Sequence, residues 1–330
     1  MLTPPDGLSE DTLVRALSEN WGFVTASVEY RAVGFGSHHW AVVEPNGRRW
    51  FVTADDLDSK RQSSSERDDA AFRRLGAALA TAKDLRDSGL SFVVGPIPTL
   101  AGEPLVRLNR RFAAALYPYI DGQSFTWGDP RGATHRSDLL NLIVTLHTAP
   151  TTATRHAITD DFAVPHRDIL ESALDHEVAG RDGGPYTDQT LTLVADNAQK
   201  IQRLLVRYDD LVDEFRSRPT RMVLTHGEPH PGNTMLTHAG LVLIDWDTVL
   251  LAPPERDLWI LDAGDGSVVG AYSAATGVTP LPSIFALYRI RWDLADTAAY
   301  VHRFWGSHAG TLDDDQSWDE LRSLIDRLSS

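Results

Sequence analysis

The stretch RMVLTHGEPHPGNTMLTHAGLVLIDWDTV, residues 221–249, decides how the chain folds. It places Gly, Pro and Asn between two apolar runs that have the composition of β-strands, inside a region whose remaining periodicity is helical. Loops that a rigid scaffold holds in place often carry binding and catalytic residues. The chemistry of the protein is therefore expected in this segment.

The loop within this stretch has the form His-x-acid-x-x-x-x-Asn, from His226 through Glu228 to Asn233. This is the spacing of the kinase catalytic loop, in which the acid accepts a hydroxyl proton and the Asn holds Mg²⁺. Asp245 ends the next apolar run, where a carboxylate can project from a rigid strand end. Oxygen ligands from Asn and Asp favour Mg²⁺ over softer metals.

The sequence before this region predicts a small β-rich lobe with one long helix, ending near Tyr117. Short β-type runs lie between residues 27 and 53, and an apolar stripe with helical spacing covers residues 68–86. Two more strands are predicted at residues 92–100 and 110–120.

The rest of the chain predicts a larger, mainly α-helical lobe. A Gly-, Pro- and Asp-containing linker at residues 118–132 leads into it. The helical patterns cover residues 137–147, 168–178, 188–216, 283–304 and 317–328. The predicted fold class is α+β with two lobes, residues 1–117 and residues 118–330.

Composition and charge narrow the possible partners. The chain has no cysteine, which excludes disulfides and thiolate metal sites. Residues 118–330 carry 17 basic and 31 acidic residues, whereas residues 1–117 carry 14 and 15. An acidic surface repels nucleic acid and attracts cationic molecules, or it serves only solubility. No apolar run approaches the about 18 residues of a membrane span, and the first residues lack the basic region and apolar core of a secretory signal, so we expect a cytoplasmic protein. It is expected to be a monomer or a homodimer.

Four motifs give the chain a resemblance to a known family: HGEPHPGN at 226–233, LVLIDWDTVLLAPPERDLW at 241–259, VGFGSHHW at 33–40 and LYPYIDG at 116–122. The sequence resembles the aminoglycoside phosphotransferase family of kinase-like antibiotic phosphotransferases, nearest to the spectinomycin subgroup. The resemblance extends over nearly the whole chain and implies a bilobal protein-kinase-like fold. In such a fold, residues 1–117 are expected to bind the nucleotide, and residues 118–330 are expected to provide catalysis and substrate binding.

The resemblance also implies roles for the loop and the strand end. Glu228 takes the general-base position, and Asn233 and Asp245 take the Mg²⁺ positions. His226 organises the catalytic loop, and Asp257 braces it without touching substrate. The nucleotide, ATP or GTP, is expected to contact Gly34, Gly36, Ser37, Thr53, Tyr117, Tyr119 and Ile120.

Two positions depart from the family pattern. Glu228 stands where the family has Asp, and the extra methylene moves the carboxylate by about one C–C bond. Thr53 stands where the phosphate-binding lysine belongs, and the nearest lysine, Lys60, lies in a polar loop. Phosphate neutralisation is then left to Mg²⁺, to the glycine loop, or to an arginine such as Arg73 or Arg74.

The sequence therefore predicts transfer of a γ-phosphoryl group to a hydroxyl of a small, cationic substrate such as an aminoglycoside or aminocyclitol. The resemblance makes Trp292, Asp293 and Asp296, on a late helix, candidates for binding that substrate. Two alternatives stay open: a kinase-fold protein that binds a nucleotide or metabolite with weak or no catalysis, and a kinase of an amino alcohol or sugar.

Overall fold

The computed structural model describes residues 1–127, 132–150, 154–175, 183–218 and 221–328. The strands in these ranges are β1 (Ser27–Arg31), β2 (Ser37–Val43), β3 (Arg49–Asp56), β4 (Val106–Arg107), β5 (Phe112–Pro118), β6 (Gln123–Ser124), β7 (Val223–Thr225), β8 (Thr234–Thr237), β9 (Gly240–Leu243) and β10 (Leu250–Ala252). The helices are α1 (Glu10–Trp21), α2 (Asp68–Asp87), α3 (Ala133–His147), α4 (Arg167–Asp175), α5 (Thr187–Asp196), α6 (Ala198–Arg216), α7 (Glu255–Leu261), α8 (Ser267–Thr276), α9 (Pro282–Trp305) and α10 (Leu312–Arg327).

The N-terminal sheet has five antiparallel strands in the order β1-β2-β3-β5-β4. Side chains alternate between its two faces, as the pleat requires. Trp50, Val52 and Ala54 of β3 point into a core shared with α1. The opposite face, which carries Thr53 and Asp55, is the one covered by α2, because their partners on β5 pack against that helix.

Helix α1 is an element that the sequence interpretation missed. Ser9 caps its start by accepting a hydrogen bond from the Thr12 backbone at 3.2 Å, and Gly22 ends it in the left-handed region at φ 75°. Leu13 and Leu17, four residues apart, are completely or almost completely buried against the sheet. These caps and this spacing are a readable helix signal.

Two further predictions were wrong in detail. Residues 92–100 form no strand and make only single bridges, Val93 to Leu243 and Ile97 to Leu116. Pro96 lies between these bridges and has no N–H to offer a sheet. The helix predicted over residues 188–216 is two helices, α5 and α6, separated at Asn197 with φ −111° and ψ 12°.

The mixed architecture, with a sheet-rich N-terminal part and a helical C-terminal part, confirms the predicted fold class. Part of the helix predicted at 168–178 and of the linker at 118–132 lies outside the described residues. The end of α2 packs with α3, α7 and β9 in one core, so the two parts share apolar contacts. Within the described ranges, every helix is too short or too polar to cross a membrane.

Candidate active site

One buried carboxylate, that of Asp257, holds the start of the loop between β7 and β8 in place. Asp257, on α7, is completely buried and accepts hydrogen bonds from the backbone N–H of His226 at 2.9 Å and of Gly227 at 2.6 Å. His147 of α3 approaches the same carboxylate at 3.1 Å. Burial alone would raise the pKa of Asp257, but the hydrogen bond with His147 and nearby positive charge lower it. An ionised Asp257 therefore holds the loop by charge-assisted hydrogen bonds.

Gly227 lets the loop pass over Arg256. Its φ is +103°, and an added Cβ would lie 2.6 Å from Arg256 Cζ, so no larger residue fits without displacement. The guanidinium itself donates to Thr225 Oγ1 at 2.8 Å and to the Thr248 carbonyl at 2.9 Å. Both the positive φ of this residue and the nearby Arg256 guanidinium therefore require a glycine at position 227.

His226 ties the loop to the strand that precedes Asp245. Its Nε2 lies 2.9 Å from the Ile244 carbonyl, and its Nδ1 lies 3.3 Å from the Glu228 backbone N. Because the carbonyl must accept and the backbone N–H must donate, the ring is neutral with its proton on Nε2. Burial lowers the pKa of His226, which agrees with this assignment. These contacts join the catalytic loop to Ile244, and the loop-organising role of His226 stays a prediction.

Asn233 and Asp245 lie on adjoining backbone. Asn233 ends one turn of 3₁₀-helix, its Nδ2 donates to the Glu228 carbonyl at 3.1 Å, and its own carbonyl accepts from Ile244 N at 3.0 Å. Asp245 follows with φ 63°, in the left-handed region that Asp tolerates better than most residues. This kink turns the chain just after β9, and the hydrogen bonds of Ile244 to Asn233 and His226 hold the backbone on its N-terminal side.

Three carboxylates share the cleft beside this loop. Burial in the cleft, together with the charge of Asp247, raises the pKa of Glu228 to about 7. The side chain of Asp245 is accessible to solvent. Its pKa is nevertheless raised well above the ordinary value by the protein around it and by the charges of Asp247 and Glu228. Burial would also raise the pKa of Asp247, but the ammonium of Lys60 lowers it. Lys60 therefore offsets only part of the negative charge of Glu228, Asp245 and Asp247.

This donor set suits Mg²⁺ held jointly with phosphates. No group of three or more acidic or imidazole side chains in the described part of the chain could hold a metal by itself. Mg²⁺ does not require such a cage, because it commonly binds through one or two protein carboxylates plus substrate phosphates and water. Asp245 and the amide oxygen of Asn233 fit that pattern, and the excess charge favours a cation.

Ser37, Thr53 and Tyr117, three of the residues predicted to bind nucleotide, lie near the acidic cluster. Ser37 Oγ donates to Asp55 at 2.7 Å, and Gly34 and Gly36 precede it with positive φ. Thr53 hydrogen-bonds Tyr117, whose pKa is raised by burial and by Asp55, Asp245 and Asp247. The influence of these three carboxylates on its pKa shows that the Tyr117 hydroxyl faces the acidic cluster.

Tyr119 and Ile120 lie farther along the chain, just past the end of β5. The ring of Tyr119 lies 4.3 Å beneath the Arg49 guanidinium, next to the first residues of β3. They belong to the opposite end of the sheet from the acidic cluster, since Trp50 pairs with Pro118 and Asp56 with Phe112.

Lys60 is a site residue that the sequence interpretation left in a polar loop. Its ammonium forms ion pairs with Asp55 at 3.1 Å and with Asp247. Arg74, one of the arginines predicted to neutralise phosphate, is instead paired with Glu66 at 2.6 Å and donates to the Lys60 carbonyl. No motif signals that Lys60 would fold back, because the contact depends on a loop conformation.

Helix α9 provides a second acidic wall. Burial, together with the charges of Glu228, Asp293 and Glu320, raises the pKa of Asp296 to about 8. Burial also raises the pKa of Asp293. Glu320 comes from α10, and nothing in its sequence context indicated that it would join this group. Asp296 thus faces the same cleft as Glu228.

Aromatic rings line the cleft next to these acids. Trp292 hydrogen-bonds Asp296 and stacks on Trp127 with centroids 5.2 Å apart. The same Trp127 ring meets His230 edge-on at 4.3 Å. Trp127 was not predicted, although an aromatic residue beside the Gly- and Pro-rich linker is a usable signal. Phe35 of the glycine loop contacts Tyr300 of α9 at 5.8 Å, so the two parts meet over this cleft.

Comparisons with known proteins give the same outline. The profile of a family described as "Phosphotransferase enzyme family" matches residues 28–300. Protein StrN from Streptomyces griseus is 30% identical over 257 residues, 73% of this chain and 74% of that protein. A solved spectinomycin phosphotransferase, in complex with ADP and spectinomycin, superposes with a TM-score of 0.71 at 17% identity over 98% of each chain. A microcompartment-associated aminopropanol kinase gives 0.60 at 13% identity over 97% of this chain and 96% of that one.

Proposed function

We propose that this chain, which belongs to the phosphotransferase enzyme family, transfers the γ-phosphoryl group of a nucleoside triphosphate to a hydroxyl of a small, cationic substrate. One observation carries the proposal. Glu228, Asp245 and Asp247 share a cleft with Lys60, directly beside a loop that Asp257 and His226 hold rigid. Phosphoryl transfer depends on positioning and charge, and both are provided here.

Glu228 is proposed as the general base. A base with a pKa near the working pH combines a useful deprotonated fraction with enough basicity to take a hydroxyl proton. The enclosure that raises the pKa of Glu228 to about 7 supports that role. Its backbone N–H, donated to His226 Nδ1, and its carbonyl, which accepts from Asn233, fix the main chain from which the carboxylate projects.

Asn233 and Asp245 are proposed to hold Mg²⁺ against the triphosphate. When bound, Mg²⁺ supplies positive charge that neutralises the phosphate oxygens. The N-terminal part, residues 1–117, would contribute the glycine loop Gly34 to Ser37 over the phosphates. The segment Tyr117 to Ile120, where the two parts join, would lie beside the purine base of the nucleotide. Thr53 contributes a hydroxyl but no charge. Residues 118–330 would supply the base and the substrate wall.

The second acidic wall supports a cationic acceptor substrate. Burial raises the pKa of both Asp293 and Asp296, and neighbouring carboxylates raise that of Asp296 as well, so both resist ionisation. An amine placed among them would restore the charged forms. The ring of Trp292 offers a face for cation–π contact next to the same acids. Aminoglycosides and aminocyclitols carry amines and hydroxyls on one small scaffold and fit this wall.

A panel of acceptors tests the proposal. Purified protein with Mg²⁺ and ATP or GTP is incubated with aminoglycosides, spectinomycin, macrolides and amino alcohols, and triphosphate consumption is measured. Wild type should turn over at least one amine-bearing acceptor, and Asp245→Asn should lose turnover while its melting temperature stays unchanged. Asp319→Asn, at an exposed pair with Arg322, is the control for general effects of losing an Asp.

Two outcomes would contradict the proposal. Undiminished turnover by Asp245→Asn would remove Asp245 from the reaction. Stabilisation by nucleotide without consumption across the whole panel would favour a binding protein in place of an enzyme.

A further inference from the structure

Strand β3 does not supply a lysine to the cleft. Phe51, Thr53 and Asp55 alternate on the face that α2 covers, while Val52 and Ala54 fill the core on the other face. Thr53 pairs across the sheet with Ala115 and hydrogen-bonds Tyr117. It therefore occupies a cleft-facing position, but it brings no positive charge to a group as anionic as a triphosphate.

Lys60 brings that charge from the loop between β3 and α2. Its ammonium lies 3.1 Å from Asp55 Oδ1 and pairs with Asp247, and its side chain is only 23% exposed. The Asp55 carboxylate also accepts the 2.7 Å hydrogen bond from Ser37 at the end of the glycine loop. A continuous polar connection thus runs from the glycine loop through Lys60 to Asp247, two residues beyond Asp245.

The loop that carries Lys60 is anchored from two sides. Arg74 of α2 donates to the Lys60 carbonyl at 2.6 Å. His166, just before α4, donates its backbone N–H to the Gln62 carbonyl at 2.9 Å, and its Nε2 lies 3.0 Å from the Ser59 carbonyl.

A further contact holds the same loop to the C-terminal part. Ser64 donates both its backbone N–H and its hydroxyl to Asp168, at 2.8 and 2.6 Å. Tethers on both flanks of Lys60 limit where its backbone can move. A cation held in this way loses little freedom when it binds a ligand, which favours binding.

We infer that Lys60 is the cation that binds the phosphates of the donor, supplied from the β3–α2 loop in place of the strand, with Asp55 as the carboxylate that orients it. This inference rests on the proposed function. Lys60 pairs with Asp247 and Asp55 in the protein alone, and phosphate oxygens compete for its three donors when a nucleotide enters.

A relocation experiment tests the assignment. Lys60→Met removes the charge, Lys83→Met is the matched control because Lys83 pairs with Asp87 on the surface of α2, and Thr53→Lys with Lys60→Met returns an ammonium from the strand. Binding of Mg-ATP, Mg-ADP and adenosine is measured by calorimetry, together with turnover. We expect Lys60→Met to lose about 10- to 100-fold in affinity for the two phosphorylated ligands and none for adenosine.

Turnover should follow the same order. Lys60→Met should lower kcat/KM by at least about 100-fold, the control should stay within about twofold, and the relocated lysine should recover at least about tenfold of the loss. Phosphate affinity and kcat/KM within about threefold of wild type in a folded Lys60→Met would overturn the inference while leaving the proposed function in place. A wild type that binds no triphosphate would overturn both.

A second measurement uses the unaltered chain and so does not depend on the variant folding. An acyl phosphate of ATP transfers its acyl group to a lysine amine beside the terminal phosphate, forming an amide and releasing ATP. The chain contains three lysines, Lys60, Lys83 and Lys200, so peptide mapping gives one answer. We expect acylation of Lys60 that excess ATP suppresses. Labelling of Lys83 or Lys200 instead, or of none in protein that binds ATP, would refute the assignment.

Discussion

Replacing Asp257 by Asn removes one charge and one acceptor from beneath the catalytic loop. In the protein, Oδ1 accepts from the Gly227 N–H, and Oδ2 accepts from the His226 N–H and contacts His147. The Asn side chain has one oxygen and one NH₂ group of the same size. Whichever way it is turned, the NH₂ group faces a buried backbone N–H, so at least one donor is left without a partner.

The size of the effect follows from these contacts. A hydrogen bond to a charged group contributes about 1.5–3 kcal/mol, and a buried donor left unsatisfied costs about 1–3 kcal/mol. Asp257 has no exposed surface, so water cannot replace the lost acceptor. We expect the free energy of unfolding to fall by about 3–5 kcal/mol, which corresponds to a melting temperature lower by roughly 4–7 °C for a chain of this size.

Activity should fall as well, because the two backbone groups set the position of Glu228. A displacement of about 1 Å in a reacting group can cost about 100-fold in rate. Thermal unfolding and steady-state kinetics check both effects. Asp262→Asn, which loses a hydrogen bond to the half-exposed Arg289, is the control and should change stability by less than about 1 kcal/mol. A loss under 1 kcal/mol in Asp257→Asn, with turnover within threefold of wild type, would refute the reasoning.

Three other substitutions have equally definite outcomes. Gly227→Ala forces a Cβ into the Arg256 guanidinium at positive φ and should lower the free energy of unfolding by about 2–4 kcal/mol in chemical denaturation, whereas Gly270→Ala, with open space around it on α8, should be neutral or stabilising. Asp296→Asn should flatten the pH dependence of stability: the raised pKa lets the folded protein keep a proton that the unfolded chain releases, so wild-type stability should fall as pH rises from about 4 to about 8, and an unchanged slope in melting experiments would count against it. Glu228→Asp withdraws the base by about one C–C bond and should lower kcat about 10- to 100-fold; a kcat above wild type would show that the cleft suits the shorter acid.

The sequence predicted the parts of the site that depend on local spacing. The His-x-acid-x-x-x-x-Asn loop and the Asp after an apolar run are patterns of closely spaced residues. They can be read from the sequence before the packing of β7 to β9 is known. The brace role of Asp257 came from the family resemblance, and in the structure its carboxylate accepts hydrogen bonds from His226 and Gly227. These residues lie within 32 positions of one another, so short-range patterns carry most of the information.

The parts that depend on long-range packing were not readable. Lys60 joins Asp247 across 187 positions, and a polar loop gives no pattern that fixes its direction. Glu320 joins Asp296 through the packing of α10 against α9, which composition alone does not specify. Residues 92–100 looked like a strand because β-type residues dominate them, but the prolines among them prevent a ladder.

The two departures from the family pattern become intelligible if backbone and charge, rather than residue identity, determine what the cleft can do. Gly227, the buried Asp257 and the left-handed Asp245 fix the main chain, so the acid at position 228 only has to reach the acceptor hydroxyl. The same holds for the cation. The carboxylates of Asp55, Glu228, Asp245 and Asp247 surround the donor site, so positive charge is needed before a triphosphate can enter. The electric field of an ammonium depends on where its nitrogen lies and not on which element carries it. A lysine from a tethered loop therefore meets the electrostatic requirement that Thr53 leaves open.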